Sequence, residues 1–146
     1  MSVKRMTRAG LIESLGTLGT FNPVGHIVLA FADDATAAKA AEALHEAGLE
    51  AADVLVFSSA ELRPAMEALL RASSGAVGFG YEVTLVRRYI DLANHGAGWL
   101  VVHAPDDAVA GRVQEIAHRL DARAGVRYHR LASEELIQAS SKREQL

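Results

Sequence analysis

The chain has 146 residues, 50% of them hydrophobic and 23% charged, with a formal net charge of -3 and no cysteine. That size allows one domain with a real core, and the missing cysteine excludes disulfides, thiolate nucleophiles and cysteine-ligated metals. The slight acidity gives no basic face for nucleic acid, and no apolar run approaches the roughly 20 residues that span a bilayer, so neither nucleic acid nor membrane is expected as a partner.

Residues 1–22 read as an N-terminal arm or short helix around Arg8 to Leu15. The start is basic like a signal segment, but the stretch after it is short, holds Glu13 and is broken by glycine, so no signal peptide is expected. Residues 26–32 alternate as a strand, and Asp33 is a natural N-cap for a helix over 34–46 that Gly48 ends. Residues 53–57 form a second strand, and Ser58 or Ser59 opens a helix reaching about Ala72 despite Pro64. Residues 73–80 read as a flexible connector before a helix over 81–94, with a strand over 81–86 as the fallback. A third strand follows over 99–104. Asp106 caps a helix running to Ala124, which Gly125 stops. Residues 126–131 are the last strand, residues 133–138 add a helical turn, and residues 139–146 form a flexible tail.

The chain repeats itself. At an offset of 73, Gly25, Val28, Asp33, Asp34, Ala35, Ala37, Glu42 and His45 match Gly98, Val101, Asp106, Asp107, Ala108, Ala110, Glu115 and His118. At an offset of 74, Ser59, Glu61 and Leu62 match Ser133, Glu135 and Leu136. Two β-α-β units predict an α+β fold, a ferredoxin-like duplicated sandwich with a four-stranded antiparallel sheet. The single domain spans 23–138, with halves 25–59 and 98–133 and a helical insert over 60–97.

Strand alternation then separates two faces. Ile27, Leu29, Phe31, Leu100, Val102 and Ala104 are predicted beneath the repeat helices. The other face receives His26, Val28, Ala30, Trp99, Val101 and His103, with Leu55, Phe57, Arg127 and His129 from the outer strands. That face is too apolar to stay in water. Its cover is either a second subunit, the favoured solution, or the inserted helices.

The segment Phe31-Ala32-Asp33-Asp34 with residues 37–44, then Ala47-Gly48-Leu49, Asp53-Val54-Leu55-Val56, and Tyr89 followed by Gly96, Gly98 and Trp99-Leu100-Val101-Val102 resembles the bacterial general stress protein family that carries the heat-induced stress protein domain. The resemblance covers most of residues 25–131 and its motifs are structural. It implies a small cytoplasmic protein without an established catalytic residue. The family's variable central part is a pair of helices here.

Candidate chemistry is sparse. Asp33-Asp34 and Asp106-Asp107 are paired carboxylates that fall where helix caps are required. Glu42-x-x-His45 and Glu115-x-x-His118 share the spacing of di-metal carboxylate sites but lie opposite the apolar stripe, as a solvated face does. His26, His103 and His129, with Trp99 and Arg127, form either a shallow pocket for a metal, haem or an anionic metabolite, or a dimer interface with satisfied histidines. Gly78-Phe79-Gly80-Tyr81 echoes an RNA-recognition motif without its basic residue. There is no Gly-x-Ser-x-Gly elbow and no phosphate loop.

The expected function is a non-enzymatic stress-related or regulatory domain, cytoplasmic and homodimeric, acting through a partner or small ligand, with no catalytic residue, metal or cofactor assigned. The candidate ligand or interface residues are His26, Trp99, Val101, His103, Arg127 and His129. The alternative is a metal-, haem- or metabolite-binding dimeric α+β barrel with its site on the open sheet face.

Overall fold

The computed structural model describes residues 5–17, 24–74, 80–128 and 133–137. In chain order they form α1 (Arg8–Thr17), β1 (His26–Phe31), α2 (Asp34–Glu46), a 3-10 turn (Ala51–Asp53), β2 (Val54–Ser58), α3 (Ser59–Ser74), α4 (Gly80–Asn94), β3 (Gly98–His103), α5 (Asp107–Arg119), β4 (Ala124–Tyr128) and β5 (Ser133–Ile137). The strands make one open sheet in the order β2-β3-β1-β4-β5, antiparallel at every junction. The fold is α+β.

Local chemistry sets the helix starts. The Asp33 carboxylate accepts from the Thr36 amide at 2.8 Å, and Asp106 does the same for Val109 at 2.9 Å. Both aspartates satisfy amides that a helix leaves unpaired at its first turn. Ser58 and Glu61 close a reciprocal box at the start of α3: the Ser58 amide donates to Glu61 and the Glu61 amide donates to Ser58 Oγ. Gly98 has another reason to be there. A Cβ at that position would lie 2.5 Å from the Asp33 carbonyl oxygen and 2.8 Å from Ala37 Cβ, so the glycine lets α2 cross the start of β3.

The sheet separates two cores. On one face Ile27, Leu29, Phe31, Leu100 and Val102 pack under Ala37, Ala40 and Leu44 of α2 and Val113 and Ile116 of α5. On the other face Val28, Ala30, Trp99, Val101 and Phe57 pack against Leu11 of α1, Leu62 and Met66 of α3, and Val86, Tyr89 and Ala93 of α4. This second face is not open. Val101 is 2% exposed and Trp99 is fully buried. The chain's own helices, including α1, provide the cover for which a second subunit was the favoured expectation. The outer edge of β2 is closed as well. The Val54 amide donates to the Ala51 carbonyl, the Arg8 guanidinium donates to the Val56 carbonyl, and the Ser58 amide is held by Glu61.

Several boundaries correct the sequence expectation. The last helix stops at Arg119, not Ala124, because Asp121 takes the left-handed conformation (φ 58°). Gly125 belongs to β4. A Cβ there would come within 2.8 Å of Ile137 and 3.1 Å of Leu29. Val126 is therefore paired with Val28 in the second core, and Arg127 opposes Ile27 on the first face, opposite to the prediction. Residues 133–137 form a fifth strand with a bulge at Gly125/Val126 instead of a helical turn. The match of Ser59, Glu61 and Leu62 to Ser133, Glu135 and Leu136 thus joins a helix to a strand. α3 extends through Ser74 into the expected connector, and His129 and the tail lie outside the described residues.

Candidate functional site

Three strands and two helices meet at one end of the sheet. β1 begins there at His26, β3 ends at His103, and β2 follows Asp53. His26 and His103 are register partners and share the second face. Their ring centroids are 5.0 Å apart.

His26 is 1% exposed, and both ring nitrogens have partners. The Met6 amide donates to Nε2 at 3.1 Å, and Nδ1 lies 3.0 Å from the Val24 carbonyl oxygen. An amide can donate only to an unprotonated ring nitrogen, so the proton sits on Nδ1 and the ring is neutral. His103 is less deeply buried, its side chain 15% exposed. Its Nδ1 lies 3.4 Å from Asp53 Oδ1, and Arg5 Nη1 donates to the same oxygen at 3.0 Å. Burial alone would raise the Asp53 carboxyl; hydrogen bonds from Arg5, the Glu50 amide and His103 outweigh it and hold the group below the ordinary carboxylate value.

Beyond this cluster lies an open groove of about 730 Å³, lined in part by Arg5, Gly48, Leu49, His103, Pro105 and Arg112. Thr7, Glu50, Asp53 and Val109 complete its walls. Gly48, with φ 106°, turns the chain out of α2. Arg112 reaches across from α5 and donates from Nη1 to the Ala47 carbonyl at 3.1 Å, at the C-terminal end of α2. The groove's carboxylates are already engaged: Asp53 with Arg5 and His103, Glu50 with the backbone of the 3-10 turn. A guanidinium carries five N–H donors and no acceptor. Arg5 and Arg112 therefore leave the groove richer in hydrogen-bond donors than in acceptors, while Leu49, Pro105 and Val109 give it an apolar side.

The predicted site residues divide. His26 and His103 stand together as expected. Trp99 and Val101 lie in the second core; the Trp99 indole donates to Ser59 Oγ at 2.9 Å, and Ser59 donates to the Ala97 carbonyl at 2.5 Å. Arg127 turns the other way and pairs with Asp107 at 3.0 Å. Asp33 and Asp106 are caps, and His45 Nδ1 lies 3.2 Å from the Leu49 carbonyl oxygen. No group of three or more histidines and carboxylates among the described residues is placed to hold a metal ion. Among the described residues, no helix is long and apolar enough to cross a membrane.

Arg5, Asp53 and Arg112 were not legible as a site. Arg5 and Asp53 are 48 residues apart, and Arg112 and Ala47 are 65 apart. The one local signal is Glu50-x-x-Asp53, whose spacing is that of a helix-start box.

No family model matches the chain, and no curated protein or solved structure matches it either. The likeness to general stress proteins rests on the residues quoted for it alone.

Proposed function

We propose that this chain is a non-enzymatic binding domain of ferredoxin-like build whose ligand is a small organic anion held in the groove at the His103 end of the sheet. One observation carries the reading. The groove joins two guanidinium groups, Arg5 and Arg112, to an apolar wall, while its own carboxylates are engaged within the protein. Its volume of about 730 Å³ suits a small molecule. A carboxylate and a phosphate meet the same donors, and their apolar part would lie against Leu49, Pro105 and Val109. The metabolite form of the alternative reading is thus retained, but moved from the sheet face to the sheet end.

The order β2-β3-β1-β4 with antiparallel neighbours supports the ferredoxin-like reading. In this reading β5 and the α3–α4 pair are additions to a duplicated unit. The chain's own helices take the position of the expected second subunit. A stress-related or regulatory setting rests on the resemblance, whose pieces Ala47-Gly48-Leu49 and Asp53-Val54 border the groove.

Calorimetric titration with benzoate and with phenyl phosphate tests the reading, with benzylammonium as the cationic control. Both anions should bind and the control should not, and the stronger anion names the headgroup. Arg112→Ala should weaken anion binding about tenfold or more through loss of a charge-assisted contact. Absence of binding by either anion, or equal binding by Arg112→Ala, would overturn it.

A further inference from the structure

We infer that residues 5–7 are a strap along the groove whose docking is switched by one proton on His26. The strap is the link between the groove and the helix that covers the second core. Arg5 and Thr7 line the groove, and Met6 between them is tied to His26 through its amide. Thr7 then starts α1: its carbonyl accepts from the Leu11 amide at 2.9 Å and its hydroxyl from Gly10 at 3.0 Å. Leu11, 1% exposed, carries α1 into the second core.

The Met6 tie requires neutral imidazole. Protonation of Nε2 would set one donor against another and abolish the bond. It would also place a cation at a site 1% exposed. The described titratable and charged groups near His26 come from three elements and the strap. From β3 comes His103, with its ring centroid 5.0 Å away. Asp53 of the 3-10 turn is engaged by Arg5 and His103. The strap itself brings the Arg5 cation. Tyr128 of β4 is turned to Tyr89, with their hydroxyl oxygens 3.0 Å apart. Acid therefore favours a protonated His26 with the strap released. Release removes Arg5 and Thr7 from the groove wall, and its effect on ligand rests on the groove being the binding site.

Nuclear magnetic resonance on the full chain tests the switch without ligand. At neutral pH the His26 ring nitrogens should show a proton on Nδ1 only. Between about pH 8 and about pH 5, where imidazole titrates, protection of the Met6 amide should fall at least tenfold while the Val28 and Val101 amides stay protected. His26→Gln, which keeps an acceptor but cannot titrate, should hold Met6 protection constant over that range. An Nε2-protonated ring at neutral pH, unchanged Met6 protection in the wild type, or equal loss at Val28 and Val101 would each overturn the strap. Failure of benzoate to bind while Met6 protection still falls would overturn the groove reading and leave the strap standing.

Discussion

Val28 and Val101 stand directly opposite each other at the β1/β3 junction, and they are also a pair that the internal repeat superposes. The strand register and the sequence offset therefore share one centre. Around that centre the sheet's two ends differ. One end pairs Ala30 with Trp99 and is closed by Ser59 and Ala97. The other pairs His26 with His103 and opens on the groove.

Because Val101 is 2% exposed beneath the chain's own helices, Val101→Asp should not merely separate subunits. An uncompensated buried charge costs on the order of 3–5 kcal/mol, a large part of a domain's total stability. A thermal melt followed by circular dichroism should lose its cooperative transition or fall steeply. A variant that melts like the wild type but changes only its oligomeric state would contradict the packing.

Two glycines should respond to alanine with opposite signs. Gly98→Ala drives a Cβ against the Asp33 carbonyl and Ala37, and overpacking of this kind costs about 1–3 kcal/mol. Gly111 lies within α5 with open space where a Cβ would go. Gly111→Ala should stabilise by about 0.5–1 kcal/mol through helix propensity. Urea denaturation of both variants measures the difference.

The caps predict additivity. Asp33→Ala and Asp106→Ala each remove a side-chain acceptor from a first-turn amide, at a cost of about 1 kcal/mol apiece. They serve different helices at opposite ends of the sheet. The double variant should lose about the sum, within about 0.5 kcal/mol, in the same denaturation experiment.

Much of this arrangement is legible in the chain. Both aspartate caps, the first core face and the helical character of residues 81–94 follow from spacing and side-chain type. What covers the second face is not legible, because alternation marks Val28 and Val101 as apolar without naming their partner. Arg127 shows how parity fails. The helix stop falls at Asp121 instead of Gly125, so the last strand begins earlier and takes in Gly125. An error of one residue in placing a strand's faces exchanges every side chain. The groove was hidden for a third reason: Arg5, Asp53 and Arg112 meet only through the topology.

Acid should weaken the sheet end through Asp53 as well as His26. The Asp53 carboxyl is held below its ordinary value. Its stabilising contribution is therefore fully present above the unfolded carboxylate pKa and is lost as pH falls through the lower folded value, below about pH 4. Asp53→Asn should flatten that part of the stability profile and leave the neutral-to-mildly-acid step at Met6 in place. Denaturation midpoints collected across pH separate the two steps.

The binding claim is tested most directly by following backbone amide shifts during a benzoate titration of the full chain. The groove reading predicts saturable shifts at Gly48, Leu49, His103, Val109 and Arg112, with Val28 and Val101 unmoved. Shifts confined to the α3 and α4 side of the sheet, or no saturable shift at any of the groove amides, would contradict it.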